Sequence, residues 1–228
     1  MINHNINVLR IKAVNTLLEE LSKEVVYVGG ATVSLYADRA GLDFRPTQDV
    51  DILVEVSTTG DYLTLQEKLR NKGFEVDTSA KFVGRFKAQG LIIDLMATNE
   101  AILGFSNRWY SDGFRNAIDF QIDQRDAVKI FTSSHFIASK LEAYKNRGKG
   151  DGRTSTDFED IIYVLANRMK IWEEMLAATE ELRDYLKKEF AELSANPYLE
   201  EWVEGHVGFD SSSATAYILD QWKQFSTG

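Results

Sequence analysis

The stretch from Val25 to Val54 constrains this chain more than any other, because it holds two short apolar runs, one ended by Gly29-Gly30 and the other opened by Asp49-Val50-Asp51. Val25-Val26-Tyr27-Val28 has the length and β-branched content of a buried strand. The glycine pair behind it lets the backbone turn sharply and come close to a bulky anion before a helical stretch begins. Asp49 and Asp51 stand just ahead of Ile52-Leu53-Val54, and residues two apart on a strand point to the same face. Their carboxylates converge and repel one another unless a cation sits between them. Mg²⁺ carrying a triphosphate is the usual solution.

The rest of the first half supplies the frame for that stretch. Ile6, Leu9, Val14, Leu17, Leu18 and Leu21 predict an amphipathic helix over residues 5–22 that leads into the first strand. A second helix is expected from Ala31 to about Arg39, followed by a loop with Gly41 and Pro46, where proline can open the Asp-bearing strand. Residues 58–71 read as a helix capped by Thr58 or Thr59 and ended at Gly73. Strands are expected at Phe74-Glu75-Val76, over Lys81 to Lys87 and over Leu91 to Met96, the last two joined across Ala88-Gln89-Gly90. This order implies a mixed sheet covered by helices on one side, not a fully alternating parallel sheet.

A change of pattern falls near residue 133. Ser133 or Ser134 can cap a helix that ends at Arg147-Gly148, and a polar loop separates it from a helix opening at Ser155 with the apolar stripe Phe158, Ile161, Ile162 and Leu165. The remainder reads as helical almost throughout. The expected fold class is α+β: a mixed sheet with flanking helices over residues 1–132, then an all-helical half over residues 133–228 packed on that core.

Charge divides along the same line. Of the formal net charge of −9, residues 171–228 carry 12 acids against 4 Lys and Arg, a net of −8, whereas residues 1–170 carry 23 acids and 22 bases. The acidity belongs to the tail, so the first part can still present a local basic face to phosphates. Zero cysteines exclude disulfides and thiolate metal sites, and three scattered histidines argue against zinc. No run approaches a membrane span and the start of the sequence lacks the marks of a signal peptide, so a cytoplasmic protein with no membrane partner is expected.

Asp94, inside Leu91-Ile92-Ile93-Asp94-Leu95-Met96, is a carboxylate in an otherwise apolar strand and must be solvated, paired or metal-bound. Beside the Asp49/Asp51 strand it completes a three-carboxylate site able to hold two divalent ions. Paired instead with Arg85 or Lys87 across the hairpin, it is a structural acid. Lys140 either extends its stem over apolar surface or serves a site. Asp157 and Asp160 share one helix face, and Lys145, Arg147, Lys149 and Arg153 form either a phosphate-binding loop or a solvated one.

The order Gly29-Gly30, Asp49-x-Asp51, Asp94 resembles the nucleotidyltransferase superfamily that includes DNA polymerase beta. More narrowly, Tyr27-Val28-Gly29-Gly30-Ala31 with Thr47-x-Asp49-Val50-Asp51-Ile52-Leu53, and Lys140 followed by the basic loop and Asp157-x-x-Asp160, resemble the AbiEii/AbiGii-type toxin nucleotidyltransferases. The likeness covers about the first 168 residues. It implies a nucleotidyltransferase-type sheet in which Gly29 and Gly30 hold NTP phosphates and Asp49, Asp51 and Asp94 hold two Mg²⁺ ions. Lys140 and Asp160 would assist nucleotide binding, and Lys140 and Asp157 catalysis. The pair is Gly29-Gly30, followed by Ala31, where many members have a serine in the pair, which leaves Thr32 and Ser34 as the nearby hydroxyls for phosphate.

The resemblance implies transfer of an NMP to a hydroxyl, with Asp94 helping to deprotonate the acceptor. It points to RNA, in particular a tRNA 3′ end, met along the Lys140 to Arg153 region, and to a toxin with a cognate antitoxin protein. Transfer to a small cationic molecule such as an aminoglycoside, which an acidic tail suits, is the alternative enzyme. A non-catalytic antitoxin-like module on the same fold is the alternative outside enzymes.

Overall fold

A computed structural model describes residues 2–38, 44–148, 150–207 and 212–228. Arg39, Gly41 and Lys149, all used in the sequence expectations, lie outside the described residues. The chain divides into two compact units, Met1–Ser34 with Gly41–Thr132, and Leu35–Ala40 with Ser133–Gly228.

The first unit opens with α1 (Ile2–Leu18), which buries Ile11, Val14 and Leu18 completely. The helix stops earlier than its apolar spacing predicts because Glu19 adopts a positive φ of 51°, and residues Glu19–Glu24 tighten into a 3-10 turn. After β1 (Val25–Val28), the expected α-helix is instead a 3-10 segment, Gly30–Tyr36. Thr32 supplies a local reason, since its backbone N–H and its hydroxyl both donate to the Gly29 carbonyl, at 3.3 and 3.0 Å. An i→i+3 bond of that kind is the 3-10 pattern.

β2 (Asp49–Val54) follows, then α2 (Thr59–Asn71), whose N-terminus is closed by a reciprocal pair of hydrogen bonds between Thr58 and Asp61. β3 (Glu75–Val76), β4 (Arg85–Ala88) and β5 (Leu91–Ala97) come next. Lys81–Gly84 is a turn, not the start of a strand. Arg85 N–H donates to the Phe82 carbonyl at 3.3 Å, and Gly84 lies so near the Leu95 carbonyl that a β-carbon there would stand 2.4 Å from it. Two short helices, α3 (Glu100–Leu103) and α4 (Tyr110–Arg115), lead to a hairpin of β6 (Ile118–Gln121) and β7 (Ala127–Ile130) that sequence periodicity does not reveal.

Among the described residues, seven strands form one mixed sheet in the order β3-β4-β5-β2-β1-β7-β6. β2 runs antiparallel to β1 and parallel to β5, and β5 runs antiparallel to β4. The register sets Val28, Asp51, Asp94 and Arg85 opposite one another in a single row across four strands. Ile52, Leu53, Phe86 and Leu95 are fully buried around that row. The sheet therefore carries three charged side chains in one row flanked by apolar core, with Asp94 buried and Asp51 and Arg85 half-buried.

The second unit is helical: α5 (Ser133–Arg147), α6 (Thr156–Asn167), α7 (Ile171–Leu176), α8 (Glu180–Ser194), α9 (Leu199–Val207) and α10 (Ser212–Thr227). Ser155 caps α6 by accepting from Phe158 N–H. An aromatic core holds the unit together, with Phe190 4.3 Å from Trp222 and Phe158 5.7 Å from Trp202 between ring centres. The strap Leu35–Ala40 joins it: the Tyr36 ring lies 4.6 Å from Phe136, Arg168 donates to the Tyr36 carbonyl, and the Met169 N–H donates to Asp38. Among the described residues no helix is long and apolar enough to cross a membrane.

Candidate metal and phosphate site

Asp49 and Asp51 alternate with the buried Val50 on β2, so both carboxylates leave the same face of the sheet, and the parallel pairing sets Asp94 of β5 directly beside Asp51. The Gly29-Gly30 turn ends the neighbouring strand at the same level, since Val28 is the partner of Asp51 on the other side. Gly29 has a φ of +72°, and a β-carbon on it would stand 1.8 Å from an Asp51 carboxylate oxygen. Asp51 therefore occupies the space that a side chain at position 29 would take. At Gly30 a β-carbon would meet the Thr47 methyl at 2.8 Å first, with Arg45 Nη2 next at 3.3 Å. One turn thus has a carboxylate on its first glycine, and the Thr47 methyl and a guanidinium near its second.

Arg85 completes the cluster. Its Nε donates to Asp94 Oδ1 at 2.7 Å and its Nη2 to Asp94 Oδ2 at 2.6 Å, while the same Nη2 donates to Asp49 Oδ2 at 2.8 Å. The Asp94 side chain is 8% exposed, against 35% for Asp49. The hydrogen bond to Asp94 raises the Arg85 pKa above its ordinary value; burial opposes this, and the charges of Asp94, Asp49 and Asp51 reinforce it. Lys87, the other basic candidate for Asp94, pairs with Asp77 instead.

The donor set suits a hard divalent ion, since three carboxylates share one face and Gly29 leaves room for the Asp51 carboxylate. Among the described residues they are not drawn into a ready three-ligand cluster, and Arg85 stands between Asp94 and Asp49. The residues fit Mg²⁺ once Arg85 yields Asp49.

The hydroxyls divide. Thr32 is fully buried and its hydroxyl is committed to the Gly29 carbonyl, so it braces the turn. Ser34 is 4% exposed, and its hydroxyl has no hydrogen-bond partner among the described residues. Asn7, fully buried one turn before Ile11 on α1, accepts from both the N–H and the hydroxyl of Thr47, at 3.2 and 3.3 Å. It fixes the approach to β2. An amide on the Ile11/Val14/Leu18 stripe is the sequence signal that could have found it.

Lys140, Asp157 and Asp160 come together in the second unit. The Lys140 ammonium meets Asp160 Oδ2 at 2.5 Å and Asp157 Oδ1 at 3.2 Å, with side-chain exposures of 7%, 0% and 2% for Lys140, Asp160 and Asp157. Arg147, from the end of α5, forks onto Asp157 at 2.6 and 2.7 Å while 68% of its own side chain stays exposed. Burial pulls the Lys140 pKa down, but Asp160 and Asp157 outweigh it and the net direction is up; burial pushes Asp157 up, but Arg147 and Lys140 bring it below its ordinary value. Two carboxylates and two cations cancel. Lys145 pairs with Glu189, and Arg153 with Asp151 and Glu201. Arg147, Gly148, Asp151 and residues Thr154 to Asp157 line a cleft of about 540 Å³.

No protein-family model matches this chain, and comparison with curated proteins finds no relative.

Proposed function

We propose that this protein is a divalent-metal-dependent nucleotidyltransferase that moves an NMP from an NTP to a hydroxyl acceptor. The observation that carries this is the row of Asp51 and Asp94, with Asp49 on the same face, beside a Gly-Gly turn whose left-handed Gly29 is packed on the Asp51 carboxylate and whose Gly30 lies near Thr47 and the Arg45 guanidinium. Asp49 and Asp51 would hold Mg²⁺, with Asp94 beside them. When bound, the ion supplies Lewis-acid activation of the acceptor hydroxyl and charge neutralisation at the leaving pyrophosphate. Gly29, Gly30 and Arg45 would receive phosphate oxygens. Both Asp94 oxygens already accept from Arg85, so Asp49, the more exposed carboxylate, is the better placed to take the acceptor proton.

The family resemblance supports an RNA acceptor such as a tRNA 3′ end, and a toxin paired with an antitoxin protein. In the second unit Arg147 presents an exposed guanidinium, fixed by Asp157, at the rim of the polar cleft, which suits a phosphate backbone along the Lys140 to Arg153 region. Lys140 itself is enclosed by Asp157 and Asp160 and holds that arrangement in place.

Incubation with each labelled NTP, Mg²⁺ and total RNA should label RNA, and Asp51→Ala should abolish the label. Label on a small cationic acceptor, with none on RNA, would replace the RNA acceptor. No transfer to any acceptor, together with no metal-dependent NTP binding, would sink the enzyme reading.

A further inference from the structure

The two carboxylates that share Arg85 are held unequally. Asp94 receives a two-pronged fork on a nearly buried side chain, whereas Asp49 receives one bond on a side chain that is 35% exposed. Forked guanidinium–carboxylate pairs are strong and fixed in geometry, and single, partly solvated pairs are weak. Arg85 is therefore anchored at Asp94 and exchangeable at Asp49. The strand register enforces the anchor, because Arg85 and Asp94 are directly paired across the hairpin.

We propose that Arg85 is the resident cation of the site and couples divalent-metal binding to nucleotide binding, turning its Nη2 from Asp49 to a phosphate oxygen when metal and triphosphate arrive together. This inference rests on the nucleotidyltransferase reading. A dication reaching Asp49 alone must displace the Arg85 bond and then lie beside a fixed positive charge, which weakens its binding. A triphosphate brings negative charge that offsets both cations and offers the freed Nη2 a new acceptor. By linkage, the metal strengthens nucleotide binding by the same factor as the nucleotide strengthens metal binding. Asp94 is then a positioning residue that acts through Arg85.

The test measures Mn²⁺ binding by the loss of its free electron paramagnetic resonance signal, for wild type, Arg85→Gln, Arg85→Lys and Asp51→Ala, with circular dichroism to confirm folding. Arg85→Gln should bind Mn²⁺ alone about tenfold more tightly than wild type, within the usual range of site-to-site couplings, and Arg85→Lys, which keeps the charge, should stay close to wild type. An unchanged or weaker Mn²⁺ affinity in folded Arg85→Gln overturns the inference. In wild type, a non-transferable α,β-methylene NTP analogue should bind more tightly with Mn²⁺ than without it. Absence of that coupling also overturns the inference, and this measurement does not depend on any variant folding. Mn²⁺ held through Asp51 but indifferent to Arg85 sinks this inference alone, whereas Mn²⁺ binding that survives Asp51→Ala sinks the underlying nucleotidyltransferase reading with it.

Discussion

Replacing Lys140 by methionine removes the ammonium from between two carboxylates while keeping an unbranched chain of similar volume, so the change is mainly electrostatic and leaves little cavity. Asp157 keeps both hydrogen bonds from Arg147. Asp160, whose side chain is 0% exposed, loses an ion contact with Lys140 of 2.5 Å. Breaking a buried pair by removing one partner costs about 3–5 kcal/mol, and the solvated Arg147 moderates the local field, so the lower end, about 3 kcal/mol, is expected. For a chain of this size that corresponds to a fall in Tm of about 10 °C. Urea unfolding at neutral pH can be followed by tryptophan fluorescence, since Trp172, Trp202 and Trp222 report on the second unit. The companion variant Lys140→Met with Asp160→Leu should recover most of the loss, because exchanging both members of a buried pair for apolar groups is often close to neutral. A single-variant loss below about 1 kcal/mol, well under the range for a broken buried pair, or a double variant no more stable than the single, would refute this account.

The same cluster predicts a pH profile. The Asp157 pKa is lowered on folding, so its contribution is present above the ordinary value of 3.8 and is lost as pH falls through the lower folded value. The Lys140 pKa is raised, so its contribution is present below 10.5 and is lost as pH rises through the higher folded value. Wild-type stability from this cluster should be flat near neutrality, fall as pH drops below 3.8 and fall again in strong alkali, and Lys140→Met should lack the alkaline fall; an alkaline fall of equal size in both proteins by urea titration would contradict it. Separately, Gly29→Ala should cost more than Gly73→Ala. Both glycines have positive φ, worth about 1–2 kcal/mol against alanine, but a β-carbon at Gly73 meets nothing within 4 Å, whereas at Gly29 it collides with Asp51. Equal denaturation midpoints for the two variants would remove the close approach on which the metal site depends.

The Asp49/Asp51 face was legible because a strand admits one answer for residues two apart, and the caps at Thr58 and Ser155 because their hydrogen bonds are local. Arg85 was half legible. The hairpin turn at Gln89-Gly90 fixes its pairing with Asp94, but nothing in the sequence sets its reach to Asp49, which arrives through a parallel neighbour. Lys140 could not be read as enclosed, since that requires partners 17 and 20 positions away to be brought back by α6. β6 escaped because Ile118–Gln121 is largely exposed and carries no clean alternation, whereas β7 does alternate but over only the four residues Ala127–Ile130. The Gly30–Tyr36 segment looked α-helical because apolar spacing over seven residues does not show the i→i+3 bond that Thr32 makes to the Gly29 carbonyl.

The strap Leu35–Ala40 has a consequence for how this chain comes to be folded. Its contacts with Phe136, Arg168 and Met169 join residues separated by about a hundred positions or more. Those contacts cannot form until α5 and α6 have left the ribosome, so the strap must wait through synthesis of the whole sheet. A fragment made from residue 133 onward would lack a piece of its own core. Adding residues 35–40 back as a separate peptide is the complementation that such a fragment would need.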